Sequence, residues 1–296
     1  MKKLTTRNIL FFIAVGCLYF AGVAAILYPM VSNILSLSTS KTVINDYVSA
    51  VENMPSKEIN DTLASARKYN EDVASFVFND GLERVLCDEN GLVCYVDVPS
   101  VNIYLPVYYG ATEENLVKGA AMLENTSLPV GGKSTHSVIS GHTGLPTAEM
   151  FTKLDQVKTG EVFYIHVLDL VLAYKIDKIT VVYPNMVTDL TVVKDEDHVT
   201  LLTCTPYGIN DKRLLVRGTR IPYDPPKKEE TAVAPVSADT SADDALEKEI
   251  RHQTAITAAI AIVSVILFIF ALVWFMTSVK KPDNAPEGQD VTQKTD

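Results

Sequence analysis

The sequence predicts a mainly β domain, a barrel or sandwich with short helices, set between two apolar helices able to cross a membrane. Three observations carry this. Short β-type runs separated by turn residues recur from Val93 to Ile221. Two uncharged apolar stretches, Ile9–Tyr28 and Thr254–Val279, lie on either side of them. Between the β-type region and the second stretch, Lys227 to Asp244 is rich in Ala, Pro, Ser, Thr and acids, with too few large apolar residues to build a core. These breaks divide the chain into an anchor over 1–30, a helical region over 31–90, a β domain over 91–223, a linker over 224–250, a membrane helix over 251–279 and a tail over 280–296. The formal net charge of −10 over 296 residues lacks the basic footprint of a nucleic-acid-binding domain.

Each apolar stretch can span a hydrocarbon core of roughly 30 Å at about 1.5 Å per helical residue. Lys2, Lys3 and Arg7 precede the first, and Lys280 and Lys281 follow the second. The positive-inside rule then sets both termini in the cytoplasm and the β domain outside. A cleaved leader shares the charged start of the first stretch, but its apolar length favours an uncleaved anchor.

From Val31 to about Asp80 the chain is polar and helix-permissive, and Ala64–Asn70 reads as a surface helix ending near an asparagine. Asn90-Gly91 signals a two-residue hairpin turn. That turn sets Cys87 opposite Cys94 in a hydrogen-bonded pair, with Cα atoms roughly 5.5 Å apart and side chains splayed. A disulfide there is possible outside the cell but strained. Strands are expected at Val93–Val98, Ile103–Tyr108, Ser137–Ser140, Glu161–Val167, Val171–Val182, Val199–Thr203 and Arg213–Thr219, and helical patterns near Glu113–Leu123 and Ala148–Leu154. Asp224-Pro225-Pro226 ends the domain, and there is no internal repeat.

The chemistry concentrates at Cys204. It ends the apolar, β-branched run Val199–Thr203 and precedes the Pro206–Gly208 turn. A thiol there is held by a rigid strand yet reachable, as a nucleophile must be. Cys17 lies within the first apolar stretch and reads as membrane-facing. Among five histidines, His142 is the best partner, because Gly141 and Gly144 leave its ring uncrowded just past the strand Val138–Ile139. His136 precedes the same strand at its other end. His166, His198 and His252 fit structural roles better. Arg213, nine residues after Cys204, can reach it from a neighbouring strand if the chain turns back. No Cys-x-x-Cys and no close histidine pair offers a zinc site, so neither metal nor cofactor is expected.

These residues carry a family resemblance. Thr200-Leu201-Leu202-Thr203-Cys204 matches the sortase TLxTC signature. Cys204–Asn210 with Arg213–Gly218, and Leu128-Pro129-Val130-Gly131-Gly132 leading into His136–Pro146, resemble the pilus-assembling class C branch, as do Ala66, Tyr69 and Asn70 and a second, C-terminal membrane helix. The resemblance covers about Ala64 to Arg220 plus both anchors. It implies an eight-stranded sortase β-barrel, with Cys204 as nucleophile, His142 as general acid/base and Arg213 as the oxyanion and substrate-positioning arginine. Arg217 shares the Arg213 face of a strand and is the rival, read as a structural partner. The implied substrates are LPxTG-type pilins or surface proteins, joined through a thioester to a pilin lysine. The alternatives are a housekeeping sortase that attaches proteins to cell-wall peptide and, from a different class, a non-catalytic adhesin. One motif departs from the branch. Where class C enzymes carry a lid with an Asp-Pro-aromatic motif, this chain reads Phe76-Val77-Phe78-Asn79-Asp80-Gly81-Leu82.

Overall fold

Eight strands close into one barrel in the order β1-β2-β3-β4-β7-β8-β6-β5. They are β1 (Leu92–Val98), β2 (Ile103–Tyr109), β3 (Ala120–Met122), β4 (Thr135–Ser140), β5 (Val162–Val167), β6 (Leu170–Val182), β7 (Asp197–Thr205) and β8 (Lys212–Ile221). Among the described residues the α-helices are α1 (Thr6–Glu52), α2 (Ser56–Ala74), α3 (Glu113–Lys118) and α4 (Thr240–Ser278). The structure is a computed structural model and describes residues 6–77, 83–186, 188–223 and 240–278. Full closure leaves no strand edge exposed. The interior is filled by alternate residues of the strands, including Val96, Val107, Ile139, Phe163, Ile165, Tyr174, Leu201 and Val216, none of them more than 1% exposed.

The seven strands expected from the sequence are present, each end within two residues of the expected one. The eighth, β3, lies inside the predicted Glu113–Leu123 helix. That helix stops at Lys118, where Gly119 takes an extended backbone (φ −177, ψ −149), and a Cβ there would sit 2.5 Å from the Pro106 carbonyl oxygen. The bare backbone there lets Ala120–Met122 pair with β2 and β4, so burial overrides the helical preference of alanine. At Ala148–Leu154 the predicted helix is also absent. Met150 takes φ +44 and Phe151 N–H donates to the His142 carbonyl at 3.0 Å, leaving only a 3-10 turn at Thr152–Gln156.

The chain turns one residue earlier than expected, Gly91 N–H donating to the Asp88 carbonyl at 3.1 Å with Glu89 and Asn90 at the centre, and the hairpin does not form. Both edges of β1 are taken, by β2 and by β5, so Cys87 has no ladder to join. Asp88 closes the turn instead, its carboxylate accepting from the N–H groups of Asn90 and Leu92, both at 2.8 Å. Cys87 and Cys94 are free thiols. Cys94 is fully buried, and burial pushes its thiol far above the usual range.

The chain divides into two compact units, residues 1–27 with 255–296, and residues 28–254. In the first, α1 and α4 lie side by side, with Tyr19 donating to the Ser264 carbonyl at 2.8 Å. Both helices are long and apolar enough to cross a membrane. In the second unit α2 buries Ile59, Leu63, Ala66, Tyr69, Asn70 and Val73, one stripe at helical spacing. Asn70 grips the loop before β4, donating to the Leu128 carbonyl at 2.9 Å and accepting from its N–H at 2.6 Å. Helix α1 runs unbroken through the boundary expected at residue 30. Of the expected 224–250 linker, residues 240–250 belong to α4 and Leu246 is buried, while residues 224–239 lie outside the described residues. Phe78–Leu82 of the expected lid region and the 280–296 tail also lie outside them.

Candidate active site

Strand register assembles the site. Strands β4 and β7 run parallel with Ser140 beside Leu202, and one residue further Gly141 N–H donates to the Leu202 carbonyl at 3.0 Å. Continued at the same offset, this pairing sets His142 beside Cys204, on chains about 4.8 Å apart. Strands β7 and β8 run antiparallel, with Cys204 directly opposite Arg213. Cys204 and Arg213 therefore stand opposite one another at one end of two adjacent strands, and the loop that carries His142 leaves the neighbouring strand at the same end.

Alternation then selects the face. Val199, Leu201 and Thr203 are at most 2% exposed, with Leu214 and Val216 beside them in the core. Cys204 and Arg213 fall on the opposite, outer face, and both are half-buried. Thr203 is also tied to the His142 loop, its hydroxyl donating to the Gly141 carbonyl at 2.7 Å.

The loop Gly141–Phe151 is shaped for close approach. A Cβ on Gly141 would lie 2.6 Å from the ring of Phe151, which is fully buried, so only glycine fits before His142. Gly144 has φ +76 and Tyr207 packs over it, which joins the histidine loop to the turn after Cys204. Thr205-Pro206 in that turn is cis. The His142 Nε2 is out of solvent contact and makes no hydrogen bond among the described residues. Glu113 Oε1 lies 3.7 Å from it, beyond hydrogen-bond distance. Arg213 Nη1 donates to the backbone carbonyls of Asn210 at 3.2 Å and Lys212 at 3.0 Å. Among the described residues no carboxylate pairs with Arg213. An oriented guanidinium, a thiol and an imidazole thus share one half-open surface, the set needed for acyl transfer through a thioester.

A family profile described as Sortase domain matches residues 96–221. Clostridium perfringens sortase C, solved with its C-terminal cell wall sorting motif, is 45% identical. The match covers 62% of this chain and 99% of that one, with a TM-score of 0.58. This chain belongs to the sortase family. Sortase C1 of GBS pilus island 1 is 44% identical over 64% of this chain and 96% of that one, with a TM-score of 0.61, and the likeness to sortase C places the chain in the class C branch. A curated relative, sortase A of Bacillus anthracis, is 28% identical over 58% of this chain and 77% of its own length. The chain is accordingly a sortase transpeptidase.

The other candidates lie elsewhere in this sortase. His136 is 1% exposed within β4, its Nδ1 2.9 Å from the Thr191 carbonyl and its Nε2 2.7 Å from the Thr200 hydroxyl. Burial pulls its imidazole down to about 4. His198 is its register partner on β7 and is also lowered, by burial first and then by Arg217. His166 stacks on Tyr95 at 4.3 Å between ring centres. Arg217, opposite Thr200 rather than Cys204, forms a charge-assisted pair with Asp177. Nothing in the sequence pattern points to Phe151 or Glu113 at the site, and Tyr207 stands out only as part of the turn after Cys204. Their approach depends on loop closure and not on any local pattern, although Gly141 and Gly144 mark where something must come close.

Proposed function

We propose that this sortase joins an LPxTG-type sorting signal to a lysine amine of a pilin subunit through a thioester on Cys204. The thiolate sulfur of Cys204 attacks the Thr–Gly carbonyl carbon, and the C–N bond breaks as His142 gives its proton to the departing amine. The lysine amine then attacks the thioester carbon, passes a proton back to His142 and releases the thiolate. Arg213 stabilises the carbonyl oxygen as it becomes negative, where one fixed donor is worth on the order of 3 kcal/mol. The observation that carries this reading is the register of β4, β7 and β8, with Cys204 opposite Arg213 and in line with His142. The sortase C neighbours support a pilin acceptor, one named with a cell wall sorting motif and another with a pilus island.

Two apolar helices with basic outer flanks support a tethered enzyme, with both termini cytoplasmic and the barrel facing the emerging substrate. The test is Cys204→Ala expressed with the natural pilin. Boiling-resistant high-mass polymers should vanish, and their persistence would defeat the reading. The sortase A relatives favour a second acceptor, the amine of cell-wall peptide. Competition between a lysine peptide and a wall-peptide amine for the same thioester separates the two.

A further inference from the structure

The far end of the histidine loop is tied to both terminal helices by a relay of side-chain amides. Glu149 N–H donates to Asn33 Oδ1 of α1 at 2.9 Å. Asn33 Nδ2 donates to Gln253 Oε1 of α4 at 3.0 Å. Gln253 Nε2 in turn donates to Glu249 Oε1 at 2.9 Å. Asn33 is only 8% exposed, and with its donor and its acceptor both engaged its amide has a single orientation. Its position is telling, five residues past the first apolar stretch, while Gln253 immediately precedes the second.

Both sides of the relay are firm. Helix α4 is seated by Leu246, 4% exposed, and by Glu247, whose carboxylate meets Lys41 of α1 at 3.4 Å. The loop is closed on itself. Phe151 N–H donates to the His142 carbonyl at 3.0 Å, Gly144 N–H to the Thr152 hydroxyl at 3.0 Å, and Leu145 bridges to Ala148. Between Glu149 and that closure stand only Met150, at φ +44, and the buried Phe151 ring that packs against Gly141. A shift at Glu149 therefore has few bonds in which to dissipate before it reaches His142.

We propose that Asn33 and Gln253 are positioning residues for transpeptidation: through them α1 and α4 set the loop that presents His142 to Cys204. The second terminal helix then has a part in the rate as well as in tethering. This rests on the proposed roles of His142 and Cys204.

The experiment uses the full chain in nanodiscs, with an LPxTG-type donor peptide and an amine acceptor. Rates are expressed per folded molecule, counted from the amplitude of the denaturant unfolding transition, so that loss of folded protein does not register. Asn33→Leu removes both links and should lower kcat about tenfold with donor KM unchanged, since small misplacements of reacting groups are costly. Asn33→Asp keeps an acceptor for Glu149 N–H but loses the donor to Gln253, which is itself held by Glu249, so about a third of the wild-type rate should remain, as in Gln253→Leu. Gln253→Leu cuts only the α4 link and should cost about threefold, a smaller misplacement. Wild-type kcat in Asn33→Leu, or an Asn33→Asp variant as slow as Asn33→Leu, overturns the relay, and wild-type kcat in Gln253→Leu removes α4 from it. His142→Ala runs alongside. Full transfer in that variant would overturn the assignment of His142 itself, and the relay with it.

Discussion

The parallel pair β4 and β7 carries two clusters of polar side chains on one face, and its two ends differ in what covers them. At the start of the strands His136 faces His198, with Arg217 and Asp177 alongside. At the finish the same register brings His142 toward Cys204, with Arg213 opposite. The histidines of the first cluster are sealed. They are 1% exposed, and desolvation holds both imidazoles neutral at ordinary pH. The second opens where both strands run out into loops, and Cys204 stays half-buried. Register alone brings reactive side chains together at either end, but only the end that gives way to loops leaves them room for a substrate.

The sharpest way to break that contrast is to exchange the roles of the ends. His142→Ala should lower transpeptidation about a thousandfold, in the range seen for loss of a general acid/base, when measured per folded molecule. His136→Asn should leave that rate within a few-fold while lowering the denaturation midpoint, because it disturbs a buried hydrogen-bonded group. If His136→Asn is as inactive as His142→Ala, the division between the ends is wrong. The arginines give a parallel test. Arg213→Lys keeps the charge but loses the planar fork, and should cost about a hundredfold in kcat. Arg217→Lys weakens the pair with Asp177 and should be read in stability, with little change in rate.

The sealed end also predicts a pH dependence of folding. The His136 imidazole is lowered from 6.5 to about 4, so between those values the unfolded chain binds a proton that the folded one excludes. Stability is therefore full above about pH 6.5, is lost as the pH falls toward 4, and levels off below that, a change of up to about 3 kcal/mol. Denaturant midpoints of the full chain in detergent at pH 7, 5.5 and 4 would follow it. His136→Asn should flatten the slope. Gly141→Ala tests the loop itself, since its added methyl meets the buried Phe151 ring. It should cost about 1–3 kcal/mol of stability and slow the reaction by displacing the His142 loop.

How much of this could be read from the sequence follows the range of the forces involved. Runs such as Val171–Val182 and Val199–Thr203 announced their strands, because alternation and β-branching are local. The pairing of Cys204 with Arg213 needed only the intervening turn, so their spacing was enough to suggest it. Strand β3 was hidden, because Ala120–Met122 becomes a strand only through partners on β2 and β4. The Cys87–Cys94 hairpin failed for the mirror reason: the chain turned one residue early, and Cys94 was already paired with Val107 of β2. The barrel and the pairing of Cys204 with Arg213 were thus largely visible, whereas the packing of Phe151, Tyr207 and Asn33 around the histidine loop depends on contacts between distant segments.

The most direct measurement is intact-mass spectrometry of the full chain after incubation with an LPxTG-type peptide, without acceptor, followed by acid quench. The arrangement of His142, Cys204 and Arg213 predicts a mass increase equal to the peptide up to its threonine, located on Cys204, reversed by hydroxylamine and absent from Cys204→Ala. An adduct that persists in Cys204→Ala, or one located on Cys87 or Cys94, would contradict it.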